Sequence, residues 1–126
     1  MTRLRVLPAT ELPGPGAFAT RRVGGVPLLI TRDERGGVHV LVNTCPHQQS
    51  TVCRAESGAA ETFECPNHYW VFEPDGTFIG SRLALAVGRE APRDPAKDLR
   101  RLAHTLDDGW IEIQDPAGGR SATSGA

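Results

Sequence analysis

The chain has 126 residues, with 14 Lys and Arg against 15 Asp and Glu and a formal net charge of −1. That length suits one domain of about 100 to 150 residues and leaves no room for a second catalytic domain. The near-neutral balance gives no global electrostatic reason to expect a nucleic-acid or anionic-membrane partner. The longest apolar runs, Val26-Pro27-Leu28-Leu29-Ile30 and Leu83-Ala84-Leu85-Ala86-Val87, are too short to span a bilayer, and no signal-peptide core follows the charged start. Three cysteines, an odd number, argue against a disulfide scaffold and for a reducing compartment, so a cytoplasmic location is expected.

In chain order the elements read as β structure. Ala17 to Val23 and Val26 to Thr31 flank Gly24-Gly25, a two-residue loop suited to a primed hairpin turn. Asp33 to Gly37 turns the chain into Val38-His39-Val40-Leu41-Val42, a β-branched strand that ends against a first motif, Cys45-Pro46-His47. Arg54 to Ala60 is small and polar and reads as a loop or at most one helical turn. Glu61 to Glu64 reads as a strand entering a second motif, Cys65-Pro66-Asn67-His68, after which Tyr69 to Phe72 leads to a Pro74-Asp75-Gly76 turn and a short strand at Phe78-Ile79. Gly88 to Pro95 reads as an irregular crossing, and Leu99 to Leu106 and Trp110 to Gln114 as a last hairpin about Asp107-Asp108-Gly109. Residues 118–126 are expected to form a flexible tail beyond a single domain over 1–117. No long amphipathic helix is expected.

The two motifs are separated by 17 residues and repeat one idea. Each offers a thiol and an imidazole, a donor set that suits zinc or iron and disfavours metals that prefer carboxylates. Ordinary zinc fingers pair cysteine with cysteine and histidine with histidine, whereas here each loop carries one of each. A structural zinc, or four unrelated side chains, are the blander readings of the same residues.

Cys45-Pro46-His47 followed by Cys65-Pro66-Asn67-His68 resembles the Rieske iron–sulfur signature, and the likeness extends over most of residues 4–116. The resemblance implies an all-β fold, an antiparallel β-sandwich whose two cluster-binding loops sit at hairpin tips in a small subdomain at about 43–80. It implies a [2Fe-2S] cluster with Cys45 and Cys65 on one iron and His47 and His68 on the other. Two neutral imidazoles in place of thiolates make such a cluster easier to reduce than an all-cysteine one. Trp70 fits the ferredoxin and ring-hydroxylating oxygenase branches, where respiratory Rieske proteins usually carry a serine. Asn67 stands where those proteins place a disulfide cysteine, so the resemblance implies the low end of a range of about −150 to +300 mV. Tyr69 and Trp70 are the expected shields of the cofactor. The chain departs from the family at Gln48-Gln49, at Tyr69 in place of a common glycine, and at Gly80-Ser81-Arg82-Leu83, which lacks a common proline.

Other residues carry blander expectations. Cys53 reads as a small packed side chain rather than a redox thiol, and His39 and His104 as packed or surface histidines, too far apart in sequence to suggest an oxygen-activating iron. Trp70 and Phe72, two apart, read as core or shielding residues, and Arg100 and Arg101 as a solvated stretch. With no G-x-G-x-x-G fingerprint, no bound dinucleotide is expected. The resulting expectation is a one-electron transfer component without turnover of its own, taking electrons from a reductase and passing them to an oxygenase. The alternatives are a separated amino-terminal module of an oxygenase alpha subunit and a zinc-binding or redox-sensing module.

Overall fold

The computed structural model describes residues 3–46, 50–65, 69–89 and 94–114. His47, Gln48, Gln49, Pro66, Asn67 and His68 lie outside the described residues, as do 90–93 of the expected crossing and the whole of the expected tail. Strands run β1 (Arg3–Pro8), β2 (Ala17–Val23), β3 (Val26–Arg32), β4 (Val38–Val42), β5 (Ser57–Ala59), β6 (Phe63–Glu64), β7 (Trp70–Phe72), β8 (Phe78–Ser81), β9 (Arg101–Leu102), β10 (His104–Asp107) and β11 (Trp110–Gln114). One short α-helix, α1 (Arg82–Ala86), follows β8. All pairings among these strands are antiparallel.

A five-stranded sheet, β5-β2-β3-β4-β9, is the middle of the molecule. In a strand, neighbouring side chains point to opposite faces, and here both faces are apolar. Leu28, Ile30 and Val40 pack with Val6, Leu7, Ile111 and Ile113 of the β1-β11-β10 sheet. Phe18, Leu29 and Leu41 face the other way and pack with Phe63, Phe72 and Phe78 of the β6-β7-β8 sheet. Leu28, Leu29 and Ile30 are all fully buried, and each such side chain contributes on the order of 2 kcal/mol.

The turns follow the sequence closely. Gly24 and Gly25 have φ of 58° and 81°, the positive pair that a primed hairpin turn between Val23 and Val26 requires. Gly76, φ 92°, closes the turn before β8, where an added Cβ would lie 2.9 Å from Leu41 Cδ2. Its carbonyl accepts the Leu99 N–H at 2.9 Å, so this turn joins the small sheet to the central one.

Four features differ from the sequence reading. β1 pairs with β11, a strand the sequence reading did not assign although Arg3-Leu4-Arg5-Val6 alternates polar and apolar residues. Ser57–Ala59, expected as a loop, adds an edge strand to β2. The expected strand over Leu99 to Leu106 is divided: β9 joins the central sheet through β4, while β10 joins β11 in the other. The apolar run at Leu83 is a helix whose amino end is capped by Ser81 Oγ, which accepts the Ala84 N–H at 3.3 Å.

The β3–β4 turn is built on Asp33. Its carboxylate accepts the backbone N–H groups of Arg35 and Gly37 at 2.9 and 2.8 Å and lies 2.7 Å from His39 Nε2. The His39 hydrogen bond, aided by those backbone donors against some burial, holds the Asp33 carboxyl below its usual 3.8. A carboxyl with a lowered folded pKa stabilises the fold above its unfolded value and loses that contribution as pH falls through the folded value. Asp33→Asn is therefore expected to melt lower than the parent at pH 6, by no more than about 1 kcal/mol for a partly exposed pair. The gap is expected to close as pH falls below 3.8, which thermal unfolding followed from pH 3 to 7 checks.

Candidate metal centre

Cys45 lies just beyond β4, where the chain leaves the central sheet. Thr44 and Thr51 form an isolated antiparallel bridge, and inside it the Cys45 N–H donates to Ser50 O at 2.7 Å. The bridge closes the loop that contains His47. Asn43, 3% exposed, ties the returning chain to the strand end: its Nδ2 donates to Cys53 O at 2.7 Å, and its Oδ1 accepts the Cys53 N–H at 2.9 Å.

Cys65 occupies the tip of the β6–β7 hairpin. Its N–H donates to Trp70 O at 2.8 Å, and its carbonyl accepts the Tyr69 N–H at 2.9 Å. Cys65 thus follows directly on a hairpin strand, while Cys45 lies just inside a single bridge. Both cysteines are 0% exposed and belong to one apolar cluster with Leu41, Phe63 and Phe72. Two thiols 20 positions apart in sequence are thereby brought to one side of the central sheet. Among the described residues no group of three or more His, Cys, Asp or Glu is placed to hold a metal, His47 and His68 being outside that set.

The flanking residues divide. Trp70 packs against the cysteine-containing cluster, its ring 4.6 Å from that of Phe78, and Phe72 is fully buried. Tyr69 is 39% exposed and has φ of 57°, so it keeps the left-handed conformation that a glycine would adopt freely. Cys53 is half-buried, and burial raises its thiol pKa, which favours the packed reading over a reactive one. None of the three cysteines is in a disulfide. His39 is engaged with Asp33, and burial lowers the pKa of His104. Arg101 is more than a solvated side chain: its Nε donates to Asp75 O at 2.7 Å and its Nη1 lies 3.4 Å from Asp98 Oδ2.

Residues 2–86 match the model of the Rieske [2Fe-2S] domain. The chain belongs to the Rieske [2Fe-2S] domain family. Over 72 residues it is 40% identical to the N,N-dimethyl phenylurea N-demethylase subunit alpha of Sphingobium sp. (strain YBL2), a match covering 57% of this chain and 16% of that protein. Over 97 residues it is 37% identical to the anthranilate 1,2-dioxygenase large subunit of Burkholderia cepacia, covering 73% of this chain and 23% of that one. Among solved structures, naphthalene 1,2-dioxygenase from Rhodococcus sp. superposes with a TM-score of 0.78 at 26% identity, over 90% of this chain and 26% of that chain. The Rieske domain described here thus spans less than a quarter of the length of these curated relatives.

Family membership implies a [2Fe-2S] cluster, and the described residues fit one. Two fully buried thiols belong to one apolar cluster, each with its amide already bonded across its own loop, and thiolate donors are what iron–sulfur clusters take. No helix among the described residues is long and apolar enough to cross a membrane.

Sequence reading passed over Asn43. The signal available was an Asn at the junction of a strand and a motif loop, where its side chain readily bonds backbone groups. Asn43→Ala leaves the Cys53 N–H and C=O without that side chain. It is expected to destabilise the fold by about 2 to 4 kcal/mol, measured by chemical denaturation, and to loosen the first loop.

Proposed function

We propose that this Rieske domain relays single electrons between other proteins, with Cys45 and Cys65 holding one iron of the cluster and His47 and His68 the other. The observation that carries the reading is the placement of two fully buried thiols from separate loops in one apolar cluster. Each is followed within three residues by a histidine. When bound, the cluster supplies reversible one-electron chemistry at a potential raised by its imidazole ligands.

The chain's own residues do the rest. Cys45 and Cys65 root the group against the central sheet, and the Thr44–Thr51 bridge and the β6–β7 ladder fix the two loops. Trp70 and Phe78, in tilted ring contact within the cluster that holds the cysteines, limit water on that side, with Tyr69 at the rim. Residues 43–80 act as the cluster-binding part of a single domain over 1–117.

The electron donor in this reading is a reductase and the acceptor an oxygenase, in the cytoplasm. Support comes from the relatives, which are named as the alpha subunit of an N-demethylase and the large subunit of a dioxygenase. The small share of their length that this chain spans favours a second reading, in which the domain works as the amino-terminal module of such a subunit. A reduced domain that is reoxidised by a separately purified oxygenase supports the carrier; one that is not supports the module.

The central test is iron and acid-labile sulfide analysis of anaerobically purified protein, with electron paramagnetic resonance after dithionite reduction. About two irons and two sulfides per chain, with the low average g-value of a histidine-ligated cluster, are expected; stoichiometric zinc alone would overturn the reading. The midpoint is expected below about 0 mV, and His68→Cys is expected to lower it where the cluster survives. An unchanged potential would show that His68 is not a ligand.

A further inference from the structure

Tyr69 and Glu64 stand on either side of the second ligand loop, Glu64 just before Cys65 and Tyr69 just after His68. One residue touches both. Arg82, the first residue of α1, places its guanidinium carbon 4.4 Å from the centroid of the Tyr69 ring, and its Nε lies 3.4 Å from Glu64 Oε1. Its backbone N–H also donates to Tyr69 O at 2.8 Å, extending the β7–β8 ladder by one step beyond the Trp70–Ser81 pair.

We propose that Arg82 is a positioning residue for the second ligand loop, holding Tyr69 in its left-handed conformation while fixing Glu64 on the opposite shoulder. This rests on the cluster reading above and deepens it. A tyrosine at φ 57° is strained relative to an extended one, because its Cβ crowds the following carbonyl. The strain persists only where surroundings hold it. A guanidinium over the ring, on a residue whose backbone N–H donates to Tyr69 O, supplies such a hold, and the carboxylate of Glu64 orients the guanidinium. A glycine after the second histidine needs no such clamp, so Tyr69 and Arg82 form a coupled pair.

The coupling gives the test. The 126-residue protein, purified anaerobically, is compared as the parent, Arg82→Gln, Tyr69→Gly and the double variant. The readouts are the rate at which visible absorbance is lost to an iron chelator, the midpoint potential, and hydrogen exchange at the amides of residues 65, 69 and 70. Arg82→Gln is expected to speed absorbance loss and exchange about fivefold and to shift the potential. In the Tyr69→Gly background the same change is expected to matter less than about twofold, because glycine holds a positive φ unaided. Arg89→Gln, which removes an equal charge just past α1, is expected to change neither rate.

An equal effect of Arg82→Gln in both backgrounds, or none in the parent, overturns the proposal. If Arg82→Gln does not give soluble protein, Arg82→Lys keeps the attraction to Glu64 and loses the planar stack. It is expected to move the same readouts in the same direction by less, and unchanged rates would again overturn the clamp. Protein that binds zinc alone defeats the cluster reading, but the exchange measurements still decide the role of Arg82.

Discussion

Leu28, Leu29 and Ile30 follow one another along β3 and are all fully buried, so water must be excluded from both faces of that strand. A strand with one wet face alternates polar and apolar residues; this one cannot. The remaining chain therefore has to supply two coverings. One is the β1-β11-β10 sheet, and the other is the β6-β7-β8 sheet with the loops around it. The second covering is where the thiols lie, so the demand that Leu29 and Leu41 be kept dry also places Cys45 and Cys65 beneath aromatic side chains.

That covering is joined to the central sheet at a few defined points. The Gly76 turn fits against Leu41 only because it has no side chain, and its carbonyl receives Leu99 N–H. Asp98, buried beside it, accepts the Phe78 N–H and faces Arg101. These bonds set the tilt of the small sheet and hence the position of the β6–β7 tip that carries Cys65. The first loop depends instead on Asn43 and the Thr44–Thr51 bridge. Neither of these attachments uses a thiol, yet both bear on where Cys45 and Cys65 lie within one apolar cluster.

Much of this was legible in the residues. The mixed thiol and imidazole pairs, the glycine turns and the β-branched strands named the fold class and the family, because each is a local signal with a specific physical cause. What escaped is what depends on distant partners. Arg3–Pro8 takes its place because β11 offers it an edge, its short Arg-Leu-Arg-Val alternation naming no partner, and Ser57–Ala59, with no such pattern, becomes a strand because β2 offers one. The division between β9 and β10 depends on two sheets competing for one stretch. Tyr69 shows the opposite case. The residue looked foreign to its position, and the structure shows that its backbone is the one a glycine would take, held by a partner 13 positions away in the sequence.

The two ligand loops are held by different kinds of force. Asn43 is neutral and buried, and its paired bonds to the Cys53 backbone are indifferent to ionic strength. The Arg82 contacts are largely exposed, with 57% of the arginine side chain and 35% of that of Glu64 open to solvent, and a charge pair of that kind is screened by salt. The stack on Tyr69 is screened less, since it also excludes water from the ring face. High salt therefore weakens one shoulder of the second loop, whereas the Asn43 bonds beside the first are not screened. Among these described contacts, it is the pair beside Cys65 that responds to the ionic strength around the protein.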